Sequence, residues 1–245
     1  MQKAVAVISD IHSNFEALSA VLEDLRSQEV SGIVCLGDIV GYASGVKACL
    51  RTVQEFDCPV VMGNHDEAAC LPNPPKDLND TARIGALFSA SRLTDADLSW
   101  LKALPRSLEI NGALFTHASL ENPFSWNYIL SPFDALRHFV HQTTHLAFCG
   151  HTHSPAMWIA SGGSHVIERA GQGEMTIPLG GKVLVNVGSV GQPRDGDNRA
   201  CYVIYRPDQG SVEFRRVAYD IKRTKKKILR AGLPRFTAQR LSLGR

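Results

Sequence analysis

Long apolar runs are missing from this chain. Nothing in it approaches the ~18 consecutive apolar residues that a membrane-spanning helix requires. Met1-Gln2-Lys3 leads into only five apolar residues, Ala4 to Ile8, too few for the core of a secretory leader. The cysteines, at 35, 49, 58, 70, 149 and 201, include no Cys-x-x-Cys pair and no framework spacing. That excludes a disulfide-stapled fold and fits a reducing compartment. Internal repeats and low-complexity linkers are absent too, which favours one domain over residues 1–245. The expectation is a soluble, cytoplasmic protein with no membrane partner. Its oligomeric state is not legible.

Net charge is also small, +2, but it is unevenly placed. From Arg215 to Arg245 eleven Lys/Arg face one acid, Asp220, for +10; the remainder carries 15 Lys/Arg against 23 Asp/Glu, for −8. A basic tail on an acidic body can bind nucleic acid or another anionic partner. The favoured reading is a solvated helix face in a basic C-terminal segment at about 218–245. Ile221, Ile228 and Leu229 give that helix an apolar stripe, and Gly232 and Pro234 end it.

Along the chain, short β-like runs alternate with amphipathic helices. Val5–Ile8 leads into Ser13-Asn14-Phe15-Glu16, a capping-box pattern with Ser13 as the cap, and a helix to about Gln28. A second strand, a helix over about 45–56 and a third strand at Val60–Met62 continue the βαβ rhythm. Helices are expected over 82–93, after the cap at Thr94, and over 132–142, with an aromatic-rich loop at 122–131 between the last two. Beyond His153, Gly162-Gly163, Gly171, Gly173 and Gly180-Gly181 punctuate short hairpins. Val183–Val187, Ala200–Tyr205 and Val212–Val217 are expected as strands of a second sheet.

Five short signatures each close one of the apolar runs: Asp10-Ile11-His12, Gly37-Asp38, Gly63-Asn64-His65-Asp66, His117, and Gly150-His151-Thr152-His153. Side chains leaving the ends of neighbouring strands converge even when distant in sequence. Carboxylate, imidazole and amide together suit borderline divalent metals, and the set is too rich for one ion. Paired ions are a common apparatus for hydrolysing phosphate esters. His138 and His141, three apart on a helix, could form a second site. They are read with His145 and His165 as surface or loop residues.

In motif order, from Lys3 to about Tyr205, the chain resembles the calcineurin-like metallophosphoesterase superfamily. The resemblance implies an α/β fold, a four-layer αββα sandwich of two mixed sheets flanked by helices. It implies two divalent ions (Mn, Fe, Zn, Ni or Co), with Asp10, His12, Asp38 and His153 on one and Asp38, Asn64, His117 and His151 on the other. Two such ions, two carboxylates and a bridging hydroxide leave one net positive charge, which favours an anionic phosphate. The implied chemistry is attack on phosphorus by the metal-bridging hydroxide, with His65 protonating or otherwise stabilising the departing alkoxide. Asp66 is a candidate to orient His65 and keep it charged.

A second block, Asn186-Val187-Gly188-Ser189-Val190-Gly191-Gln192-Pro193-Arg194-Asp195-Gly196, resembles a segment of small bacterial and archaeal members, with Val187 where proline is usual. There Arg194 offers a planar fork to phosphate, or it pairs with Asp195 or Asp197. Gly41-Tyr42 replaces the Asp-Arg that phosphoprotein phosphatases of the superfamily carry after their Gly-Asp. The implied substrate is therefore a small, nucleotide-like phosphodiester or phosphomonoester. A dinucleoside-polyphosphate hydrolase, a protein phosphatase and a metal-bound interaction scaffold remain alternatives. Phe124, Trp126, Tyr128 and Phe133 could stack on a base or pack into the core.

Overall fold

Successive side chains of a strand point to opposite faces, and here both faces of two sheets are apolar. In the computed structural model, residues 3–75, 78–160 and 165–245 are described. The elements run β1 (Ala4–Ile8), α1 (Phe15–Leu25), β2 (Val30–Cys35), α2 (Val46–Glu55), α3 (Asn64–Ala69), α4 (Asp80–Ala90) and α5 (Asp95–Lys102). There follow β3 (Ser107–Ile110), β4 (Ala113–Thr116), α6 (Pro132–His141), β5 (Leu146–Cys149), β6 (Ala156–Ala160), β7 (Val166–Ala170) and β8 (Gly173–Thr176). The last are β9 (Lys182–Asn186), β10 (Ala200–Arg206), β11 (Ser211–Val217), α7 (Ile221–Arg230) and α8 (Arg235–Leu241). One sheet has the order β2-β1-β10-β11-β8, the other β3-β4-β5-β9-β6-β7.

Val7, Val34, Phe115, Phe148, Val185 and Val203 fill the space between the sheets. Their sequence neighbours face outward. Ala6, Ile8, Tyr202 and Ile204 meet Leu18, Val21, Leu50 and Val53 of α1 and α2; Ala147, Cys149 and Leu184 meet Ala135 and Phe139 of α6. The architecture is the expected four-layer αββα sandwich. β1 runs parallel to β2, and β4, β5 and β9 run parallel to one another, so each group gathers its C-terminal ends along one edge.

Several local expectations are corrected. The cap of α1 is Asn14, whose Oδ1 accepts from Ala17 N, not Ser13; Glu16 turns to Arg223 and Lys227 of α7 instead. Asn14 Nδ2 also donates to Gly191 O at 2.7 Å, which ties the first helix to the loop after β9. Val60–Met62 makes one parallel bridge, Cys35 to Val60, and no strand. The strands expected in the second sheet divide: β9 joins it, but β10 pairs with β1 and β11 with β10, in the first. Periodicity reports which residues are buried and not which neighbour buries them. The Gly162-Gly163 turn lies outside the described residues.

The basic segment is held by the acidic body. Arg215 pairs with Asp24 and Glu213, Arg216 with Asp195, and Lys227 with Glu16. In α7 it is Thr224 and Ile228 that are buried, while Leu229 stays exposed, so the apolar stripe is narrower than expected. Among the described residues no helix is long and apolar enough to cross a membrane.

Candidate metal centre

All five signatures lie along the edge where the strands end. The backbone there is unusual. Of ten non-glycine residues with positive φ among the described residues, five are expected ligands: Asp10 (53°), His12 (48°), Asp38 (52°), His151 (68°) and His153 (61°). Such conformations cost free energy and persist where the surroundings impose them. Glycines let the turns approach closely: a Cβ on Gly63 would lie 2.1 Å from Asp38 Oδ1, and one on Gly150 2.1 Å from Ser9 Oγ.

The side chains form two groups around Asp38. His12 Nε2 lies 3.0 Å from His153 Nε2, and Asp10 Oδ1 lies 3.2 Å from His153 Nε2. On the other side His117 Nε2 is 3.2 Å from both His151 Nδ1 and Asn64 Oδ1. Asp38 Oδ2 stands between them, 3.5 Å from His12 Nε2 and 3.4 Å from His117 Nε2. The second oxygens are committed elsewhere: Asp38 Oδ1 accepts from His65 N at 2.8 Å, and Asp10 Oδ2 from His151 N at 3.0 Å. All these side chains are buried except Asn64, which is half-buried.

Three of the imidazoles are anchored through Nδ1 to main-chain carbonyls: His12 to Val40 at 3.2 Å, His117 to Leu36 at 2.7 Å and His153 to Gln192 at 2.6 Å. A carbonyl only accepts, so each Nδ1 carries the proton. Burial drives the pKa of His12 and His153 down, leaving both rings neutral with Nε2 unprotonated. Two lone pairs 3.0 Å apart repel unless a cation lies near both. The donor set therefore fits divalent metal, and the charge of the nearby His117 favours the ionised forms of Asp10 and Asp38 against the burial that would raise them.

His117 behaves differently. Burial lowers its pKa, but the adjacent Asp38 carboxylate outweighs burial and raises it to about 9. Without metal a proton therefore occupies Nε2. A folded-state pKa above the ordinary 6.5 gives stability that is complete below that value and lost as pH rises through about 9. Metal needs the neutral ring, so its affinity should rise over the same interval. The melting temperature of the metal-free protein should fall between pH 6.5 and 9 while the increment added by manganese grows. A pH-independent increment would contradict this.

Residues 4–210 match the profile of the calcineurin-like phosphoesterase superfamily domain. The chain belongs to that superfamily. It is similar to a metallophosphoesterase from Sphaerobacter thermophilus, at 35% identity over 99% of each chain with a TM-score of 0.88. It is also 36% identical, over a 249-position alignment that covers the full length of both, to an uncharacterized protein of Methanocaldococcus jannaschii. A hypothetical protein of Pyrococcus horikoshii, at 19% identity over 99% and 98% of the two chains with a TM-score of 0.81, shares the fold.

One expectation and one alternative within this candidate site are corrected. Asp66 does not face His65: its oxygens accept from Val40 N and Gly63 N, each at 3.1 Å, and so join the Asp38 turn to the start of α3. Burial, reinforced by Asp38, raises its pKa to about 7. Arg194 pairs with neither Asp195, taken by Arg216, nor Asp197, taken by Arg199. It donates to Gln192 Oε1 at 2.9 Å and Tyr42 OH at 3.4 Å. A guanidinium from the loop after β9 thus reaches Tyr42, the second residue of the Gly41-Tyr42 pair.

Other residues complete the surroundings. His65 is buried, with its ring 4.7 Å from that of His12 and 4.5 Å from that of Tyr42. Tyr128 stacks on His151 at 4.0 Å, and Trp126 stands edge-on to His117 at 5.7 Å while its Nε1 donates to Glu67. Phe124, Tyr128 and Phe133 are exposed rather than packed into the core. His138 is buried, not at the surface, and its Nδ1 accepts from Leu120 N. Tyr42, read as a replacement in the Gly-Asp motif, and Tyr128, read as a stacking candidate, also contact His65 and His151, contacts that single tyrosines do not signal by spacing.

Proposed function

We propose that this chain is a dimetal-dependent phosphoesterase that hydrolyses phosphodiester or phosphomonoester bonds of a small, nucleotide-like substrate. The observation that carries the reading is Asp38 Oδ2, equidistant to within 0.1 Å from His12 Nε2 (3.5 Å) and His117 Nε2 (3.4 Å). One carboxylate oxygen facing two donor groups is what a shared ligand requires. Asp10, His12, Asp38 and His153 would hold one ion, and Asp38, Asn64, His117 and His151 the other. When bound, the ions supply Lewis-acid charge and an acidified water.

The protein's own residues do the rest. Arg194 offers a charged donor to the phosphate oxygens, and Asn64 adds a neutral amide at the same face. His65 attends the leaving oxygen. Burial pushes its pKa down to about 4, so at neutral pH the ring is uncharged and offers a single N–H. A neutral imidazole can still stabilise developing negative charge by hydrogen bonding. Asp66 acts on the scaffold by holding two turns together. The nucleotide-like substrate is supported by a cavity of about 500 Å³ beside Asn64 and His151, walled by Phe124, Trp126 and Tyr128. Aromatic faces there can stack on a base.

Protein loaded with manganese, iron, cobalt, nickel or zinc should turn over an aryl phosphodiester or monoester. A panel that adds nucleoside monophosphates, cyclic nucleotides and dinucleoside polyphosphates, with metal content measured on the same sample, selects the substrate. Absence of turnover with every metal, in samples that contain it, would sink the enzyme reading.

A further inference from the structure

The aromatic wall of the cavity beside Asn64 and His151 is fastened by an ion pair outside the metal-binding set. Glu67 follows Asn64 by three positions in α3, so the helix face that presents the expected ligand also presents this carboxylate. Its Oε2 accepts from Trp126 Nε1 at 2.7 Å, and its Oε1 pairs with the Arg106 guanidinium. Arg106 Nη1 donates to Pro123 O at 2.9 Å. The same guanidinium stands 4.4 Å from the Phe124 ring centroid and 4.7 Å from that of Trp126. One cation thus holds both rings and the loop backbone, while its carboxylate partner holds the indole N–H.

Arg106 is itself placed by the scaffold. The carbonyl before it, Pro105 O, accepts from Met62 N at 2.8 Å, and Ser107 after it opens β3 opposite Thr116, the residue preceding His117. The loop is fixed at its far end too: Asn127 O accepts from Ser119 N at 3.1 Å, and Ile129 is buried against Ala135 and Phe139. Between these anchors Trp126 has a φ of 52°. A bulky residue adopts that left-handed conformation only where its surroundings impose it, and the contacts of the indole with Glu67 and Arg106 are such surroundings. The paired side chains are 21% and 30% exposed, and ion pairs so near the surface add little to stability. What this one fixes is the orientation of two rings.

We infer that Arg106 is a positioning residue for substrate specificity. With Glu67 it sets Trp126 and Phe124 to receive a nucleobase, and so determines the preference for base-bearing over base-free phosphate esters. It acts through the rings and not on the reacting atoms. Without the guanidinium, Trp126 loses the charge against its face and the loop loses its bond at Pro123, so the wall can turn while the metal centre keeps its donors. The preference for a base rests on the phosphoesterase reading above, whereas the restraint on the wall rests on the contacts of Arg106.

The test is calorimetric binding of two ligands that lack a cleavable ester bond to the manganese-loaded, full-length protein. One is methylphosphonate; the other is adenosine monophosphate with its 5′ oxygen replaced by CH2. Stacking of a base on aromatic side chains is worth about fivefold or more in affinity, so wild type should prefer the nucleoside phosphonate by at least that factor. Arg106→Met keeps the apolar stem; it should reduce the preference by about threefold or more while leaving methylphosphonate affinity within about twofold of wild type. Arg106→Lys should retain part of the preference, as charge without the planar stack. On a Trp126→Ala background Arg106→Met should cost less than in wild type, because the ring it holds is gone. Equal wild-type affinity for the two ligands, equal loss of both in Arg106→Met, or independent losses in the double variant would each overturn the proposal. If Arg106→Met does not fold, the Arg106→Lys ratio decides alone, and a preference unchanged from wild type overturns it. Turnover is not part of the measurement, so a failed substrate panel and a failed positioning role are distinguishable.

Discussion

Asp38→Asn should abolish hydrolysis and strip metal from the protein while leaving the fold intact. Asparagine keeps the shape, and its Oδ1 can still accept from His65 N, the bond Asp38 makes at 2.8 Å. What disappears is the negative charge facing His12 and His117. Removing one partner from a buried charged pair costs about 3–5 kcal/mol, which converts to about 10²–10⁴ in affinity for a bound cation. The same charge is what lifts His117 to about 9, so in the variant the pH dependence of the metal-free protein should flatten. Metal analysis after dialysis, turnover of an aryl phosphodiester and a melting curve against pH measure the three effects. A variant with full metal content and wild-type turnover would remove Asp38 from the shared position.

His65→Ala should give the second large effect with a different signature. Turnover should fall about 10²–10⁴-fold, with metal content held near wild type. The main-chain N–H of residue 65 continues to support Asp38, because that bond involves no side chain of His65. The lost term acts on the leaving oxygen, so substrates with good aryl leaving groups should suffer less than alkyl esters. Parallel loss of metal and activity would make His65 structural. Undiminished turnover would point to an enzyme that releases its leaving group unaided. The two variants together separate holding the ions from using them.

Much of this site was legible because it consists of local words. Asp10-Ile11-His12 and Gly150-His151-Thr152-His153 place ligands two apart around a residue turned away, and each follows an apolar run whose end is easy to see. The turns between ligand and strand depend on backbone that only the folded edge imposes, as the positive φ of five ligands shows. The misread features share a cause: they depend on which distant partner arrives. Asp66 looked like a partner for His65 because it follows it, but helical geometry at the start of α3 turns the carboxylate back to Gly63 and Val40. Adjacent residues on a helix do not face each other. Ser13 lost the cap to Asn14, which also reaches Gly191, 177 positions away.

The two groups of donors draw on both sheets at once. Asp10 and Asp38 follow strands of the first sheet, while His117, His151 and His153 follow strands of the second. An ion held by these groups would therefore span the interlayer seam, where Val7 and Phe148 pack, and not sit within one supersecondary unit. Its binding free energy is released only on separation of the layers, so it adds to the global term and leaves local fraying untouched. In such a molecule occupancy is a gauge of cooperativity: neither half of the sandwich can loosen independently while the edge remains clasped.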